Sequence, residues 1–190
     1  LAMSGGTVSG VNDIVARSIS PWEGVYVAGG DLTARHWTLV DNSGYALTTY
    51  GGHATLTNTV IVSHALVGLW GLGITADHTL FFGNGADCDG GAVCTNDVIG
   101  YPNFARPAAG DYHIRSNSAA WDAGVDAGVR VDIDGQTRPV DNGFDIGADE
   151  LPSFRRLFFP VVARPVSSEL PPLAVPIPME GNPPLDFPAI

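Results

Sequence analysis

A polar residue recurs along the first half of this chain at Asn12, His36, Asn58 and His78, with spacings of 24, 22 and 20 residues. Each copy leads into a short apolar run: Ile14-Val15-Ala16, Leu39-Val40, Val60-Ile61-Val62 and Leu80-Phe81-Phe82. Glycine pairs punctuate the intervals at Gly29-Gly30 and Gly51-Gly52, with Gly71-Leu72-Gly73 as a third instance. Such a period holds two or three short strands and their turns. It is too short for a strand plus crossover helix, which needs about 30 residues, and the regular leucines of a leucine-rich repeat are absent. A solenoid coil fits, with each turn stacking on the next and parallel strands about 4.8 Å apart. Alternate apolar residues then face a core, glycines serve the corners, and the polar column forms a turn ladder bonding backbone groups above and below.

Composition agrees. Of 190 residues, 24 are Gly and 14 are Pro, and Asp outnumbers Glu by 16 to 4, which favours turns over helices. Hydrophobic residues at 45% exclude a disordered chain. Nine Arg, no Lys and a net charge of −11 exclude a nucleic-acid binder, because nothing can neutralise a run of phosphates. No apolar stretch approaches the roughly 20 residues of a membrane span. From Pro165 onward eight prolines occur without apolar periodicity, so residues 165–190 read as an extended tail beginning just after Arg164.

Cys88 and Cys94 flank Asp-Gly-Gly-Ala-Val, and no further Cys or His stands nearby at ligand spacing. A short disulfide loop is the better reading than two free thiols, and it points to an oxidising compartment. Eight acids lie between Asp122 and Glu150. Asp132-Ile133-Asp134-Gly135 has the opening of a calcium loop, yet Gln136 and Gly143 stand where further ligands are needed. An irregular calcium site at Asp132 and Asp134 stays open beside the reading we favour, in which the acids cap turns and pair with Arg130 and Arg138 at the solenoid's end.

The succession Gly110-Asp111-Tyr112-His113-Ile114, Ser118 to Gly124, Asp132 to Pro139 and Phe144-Asp145-Ile146-Gly147-Ala148-Asp149-Glu150 resembles the closing segment of bacterial surface β-helix proteins, the pectin-lyase-like group whose closing segments are described as a choice-of-anchor region. The resemblance spans about Gly5 to Glu150. It implies a right-handed parallel β-helix and an extracellular or cell-envelope location. It implies no single activity, since that family includes polysaccharide lyases, hydrolases and adhesins.

The expected protein is therefore all-β: a right-handed parallel β-helix of about four coils over residues 1–107, a C-terminal capping segment over 108–164, and the Pro-rich tail. No catalytic set is expected here. No Lys is available as a base, Arg35 is the one basic residue in the three clearest repeats, and Asp13, Asp41 and Asp77 fall at different offsets from the polar column. The expected role is a non-catalytic surface module for adhesion, display or glycan contact, packed on upstream coils of a longer parent protein. The alternative is the end of a polysaccharide lyase or glycoside hydrolase whose active coils lie upstream. Trp22, Tyr26, Tyr45, Tyr50 and Trp70 are candidates for stacking on sugar rings or on one another.

Overall fold

A computed structural model describes residues 1–19 and 22–152. The expected tail at 165–190 and the end of the expected capping segment, 153–164, lie outside these residues. The chain winds as a parallel β-solenoid of about four turns. The first coil comprises β1 (Ala2–Val11) and β2 (Ile14–Ala16), and the second comprises β3 (Glu23–Arg35) and β4 (Thr38–Val40). Three-stranded coils follow: β5 (Tyr45–Thr49), β6 (His53–Thr57), β7 (Val60–Val62); then β8 (Val67–Trp70), β9 (Ile74–Asp77), β10 (Leu80–Phe82). The last is β11 (Ala86–Asp89), β12 (Val93–Thr95) and β13 (Val98–Ile99).

Strands at equivalent places pair in parallel, so side chains stack rung upon rung. Val25, Leu47, Leu69 and Cys88 form one inward column, and Val15, Leu39, Ile61 and Phe81 another. The long strand β3 pairs β5 through its first half and β6 through its second, joining two faces into one sheet. The glycine pairs make the corner between these faces. A Cβ on Gly30, whose φ is +82°, would stand 2.2 Å from the Gly6 carbonyl oxygen, so only glycine lets the coils close there.

The second sheet runs β2-β4-β7-β10-β13, and its strands β4 and β7 are covered on both sides. Its inward residues Leu39, Ile61 and Phe81 belong to the solenoid core. Its outward residues Val40, Val60, Val62 and Leu80 pack against an antiparallel hairpin, β14 (Phe104–Arg106) and β15 (Asp111–Ile114), and against Ala120, Ile146 and Leu151. This double burial explains why β7 reads as a continuous apolar run rather than an alternating one, and why Thr38, Leu39 and Val40 of β4 are all buried. The closing segment therefore caps a flank of the solenoid, whereas the sequence placed it at the end. The last coil instead carries the Cys88–Cys94 disulfide, whose sulfurs continue the core columns above Leu69 and Ala76.

Candidate functional site

Asn12, His36, Asn58 and His78 all adopt the left-handed conformation, with φ between 51° and 56°. Asn96 at φ 53° is a fifth member that the sequence reading missed, although its spacing of 18 from His78 continues the shrinking series. Their backbone amides bond to the next coil, as His36 N donating to Thr57 O and Asn58 N to Asp77 O show. Their side chains mostly reach sideways instead. Asn12 Nδ2 donates to Val131 O, His36 Nδ1 to Asp145 O, and the Asn58 amide brackets both the N–H and the carbonyl of Val125. Two side chains do reach a neighbouring rung: Asn58 Nδ2 donates to His36 Nε2 at 3.0 Å, and Asn96 Nδ2 donates to Asp77 Oδ1 at 2.7 Å. Burial and the nearby Arg138 pull His36 down to about 3, so the ring is neutral, as this pattern of one donor and one acceptor nitrogen requires. His78 lies apart from the segment, with Nδ1 3.0 Å from Asp77 Oδ2.

The ladder bonding above and below is a different column, at Asn42, His64 and Asn84. Asn42 accepts from Ser18 N and donates to Val15 O; Asn84 accepts from His64 N and donates to Ile61 O; His64 Nε2 donates to Leu39 O. These three keep the same 22 and 20 spacing, so the repeat itself held the signal.

A groove runs between the second sheet and the hairpin, enclosing about 330 Å³. One wall is the next left-handed corner, Arg17, Asp41 and Ser63, one residue per coil. Beside it stands an aromatic group: Phe82, in register with Val62 on the sheet, meets Tyr101 edge to face at 5.3 Å, and Tyr112 of the hairpin lies buried with its hydroxyl unpartnered. The groove thus offers charged and hydroxyl groups beside exposed ring faces. A second cleft, of about 350 Å³, lies around Tyr50, Trp70 and Leu72 at the glycine corner. Among the described residues no charged group lines it, and Trp70 is partly occupied by stacking on Tyr45 at 5.9 Å. Of the other aromatics named from sequence, Trp22 is exposed away from both grooves and Tyr26 is half-buried in β3.

The acids of the closing segment serve mainly as acceptors for backbone amides. Asp145 accepts from Asp122 N and Leu151 N, Asp122 from Gly143 N, and Asp126 from Gly128 N and Arg130. Glu150 accepts from Val140 N, Asp145 N and Arg138, whose guanidinium also donates to the carbonyls of Asp145 and Gly147. Burial pushes Asp145 up to about 7 and Asp149 up to about 6.

The expected calcium pair is divided. Asp132 Oδ1 accepts from Asp134 N and Gln136 N, and its Oδ2 from Glu150 N. Asp134 turns instead toward His113, with Oδ2 2.7 Å from Nε2. Arg35, the one basic residue of the clearest repeats, donates to Ala127 O in the closing segment. Among the described residues no helix is long and apolar enough to cross a membrane. No family model, curated protein or solved structure matches the chain.

Proposed function

We propose that this chain is a non-catalytic, exported surface module that contacts neutral glycans through the groove between the second sheet and the hairpin. The observation that carries this reading is the pairing of an aromatic wall, Phe82 and Tyr101, with a row of hydrogen-bonding side chains, Arg17, Asp41 and Ser63. A sugar presents apolar C–H faces that lie on aromatic rings and hydroxyls that need directional partners, and the groove offers both side by side. A net charge of −11 with no Lys disfavours anionic polymers, so neutral saccharides are the favoured class. Export to the cell surface is supported by the resemblance of the closing segment and by the disulfide. Catalysis finds no support in the groove, where Asp41 is the one acid among the described lining residues; paired carboxylates are what glycoside hydrolysis calls for.

Calorimetric titration with a panel of neutral oligosaccharides and with polygalacturonate tests this. Saturable binding of a neutral oligosaccharide is expected, weakened about tenfold in Tyr101→Ala, in keeping with the roughly 1 kcal/mol of an aromatic contact. Tighter binding of polygalacturonate, or no effect of Tyr101→Ala, would sink the reading.

A further inference from the structure

His113, Asp134 and Asp149 come from three stretches of the closing region, and each can place a ligand atom within 4.8 Å of the others. His113 lies on the outward face of β15, opposite Tyr112 and Ile114, which pack inward. Its Nδ1 lies 2.6 Å from Asp111 Oδ1. That contact holds the proton on Nδ1 and presents Nε2 to Asp134, the arrangement by which carboxylates orient metal-binding imidazoles. Asp149 supplies the independent observation. It is 5% exposed, its Oδ2 accepts from Ile114 N, and its Oδ1 is buried without a hydrogen-bond partner. A buried carboxylate oxygen left bare is costly and calls for a partner. An imidazolium donating to Asp111 and Asp134 uses both its protons and leaves that oxygen as it is.

The geometry points to a divalent-metal site of the zinc class, with His113 Nε2, Asp134 and Asp149 as ligands and Asp111 orienting the imidazole. A nitrogen donor and two carboxylates suit zinc better than calcium, which prefers six or more oxygens. The His113 and Asp134 side chains are each 47% exposed, so an ion has access from solvent and keeps water in its remaining position. Coordination would part the 2.7 Å pair to about 3.3 Å, the separation set by ligand bonds near 2.0 Å in a tetrahedron. Asp132 takes no part, since its oxygens are held by three backbone amides. This site is independent of the saccharide groove.

The test uses the untagged chain, stripped with chelator and titrated with Zn²⁺ and, separately, Ca²⁺ by calorimetry, with imidazole resonances followed by ¹H–¹⁵N correlation. One Zn²⁺ per chain is expected, binding at least tenfold more tightly than Ca²⁺ and shifting the His113 signals while those of His53 and His78 stay put. His113→Gln, Asp149→Asn and the surface variant Asp134→Asn should each weaken Zn²⁺ at least tenfold. Metal-free circular dichroism identifies any variant that fails to fold, and the comparison of affinities then rests on the others. Absence of one-to-one binding, a response centred on His53 or His78, or affinity unchanged in the folded variants would overturn the assignment.

Discussion

The coils and the closing segment meet the same demand, that buried backbone groups find partners, in opposite ways. Through the coils, backbone bonds backbone in a parallel register that repeats from rung to rung. Between residues 116 and 151 only isolated bridges occur, at Gly124–Phe144, Val131–Thr137 and Val140–Gly143. There the backbone amides divide between irregular bonds to backbone carbonyls and side-chain carboxylates, with Asp122, Asp132, Asp145 and Glu150 accepting them one by one and Asp149 accepting Ile114 N from the hairpin. The difference teaches where each region is vulnerable. A coil distributes its stability over many equivalent contacts, whereas the segment concentrates it in a few irreplaceable acids.

The sharpest way to break this comparison is Glu150→Ala. It strands Arg138, since both side chains are fully buried, and it releases two backbone amides. Removing one partner of such a pair costs about 3–5 kcal/mol. Hydrogen exchange should show amides of residues 120–151 losing protection while those of β7 and β10 retain theirs. Equal loss in both regions would mean that the coils do not stand without the segment.

Acid probes the seam between the regions. His36 is pulled down to about 3 from an ordinary 6.5, so the unfolded chain binds more protons than the folded one between those values. Its contribution to stability is therefore lost as pH falls from 6.5 toward 3. Burial raises Asp145 and Asp149, which take up protons on folding, so they act in the opposite sense. Comparison with His36→Asn isolates the histidine, because Asn already occupies the same corner at Asn12, Asn58 and Asn96. Measured by denaturant unfolding, wild type should lose roughly 3 kcal/mol relative to this variant between pH 7 and pH 4. A difference that stays constant with pH would show that His36 is not held neutral.

The smallest effect belongs to the coils alone. Opening the Cys88–Cys94 loop, with a sequence separation of 6, should cost about 2 kcal/mol through the freedom returned to the unfolded chain. Cys88→Ser with Cys94→Ser should lower the unfolding free energy by that amount and leave His36 and the segment amides protected. Loss of segment protection would show that the last coil supports the flank.

What could be read beforehand follows from the same contrast. The repeat at Asn12, His36, Asn58 and His78 marked the coil corners because every coil poses the same steric problem, and glycine pairs marked the next corner for the same reason. The disulfide was legible too, in its short Gly-rich loop. The side-chain roles were not. His36 pairs with Asp145 across 109 residues and Asn12 with Val131 across 119, contacts that no period announces. The grouping of Asp134 with His113 and Asp149 was hidden likewise, because Asp132 looked like its natural partner two residues away. Neither the hairpin nor its place on the outer face of the second sheet left a periodic trace, although the uninterrupted apolar run of β7 was a sign that both its faces are covered.

The corner spacings shorten steadily, from 24 residues between Asn12 and His36 to 18 between His78 and Asn96. Each spacing is two residues shorter than the one before it, which is about 7 Å of extended chain at 3.3 Å per residue. Among the described strands β1 pairs with β3 alone, and its Val8 and Val11 are partly open. With these spacings each coil has its own length, so it can pair along its whole face only with its own neighbours, and a slip of one coil onto the wrong rung leaves backbone groups unmatched.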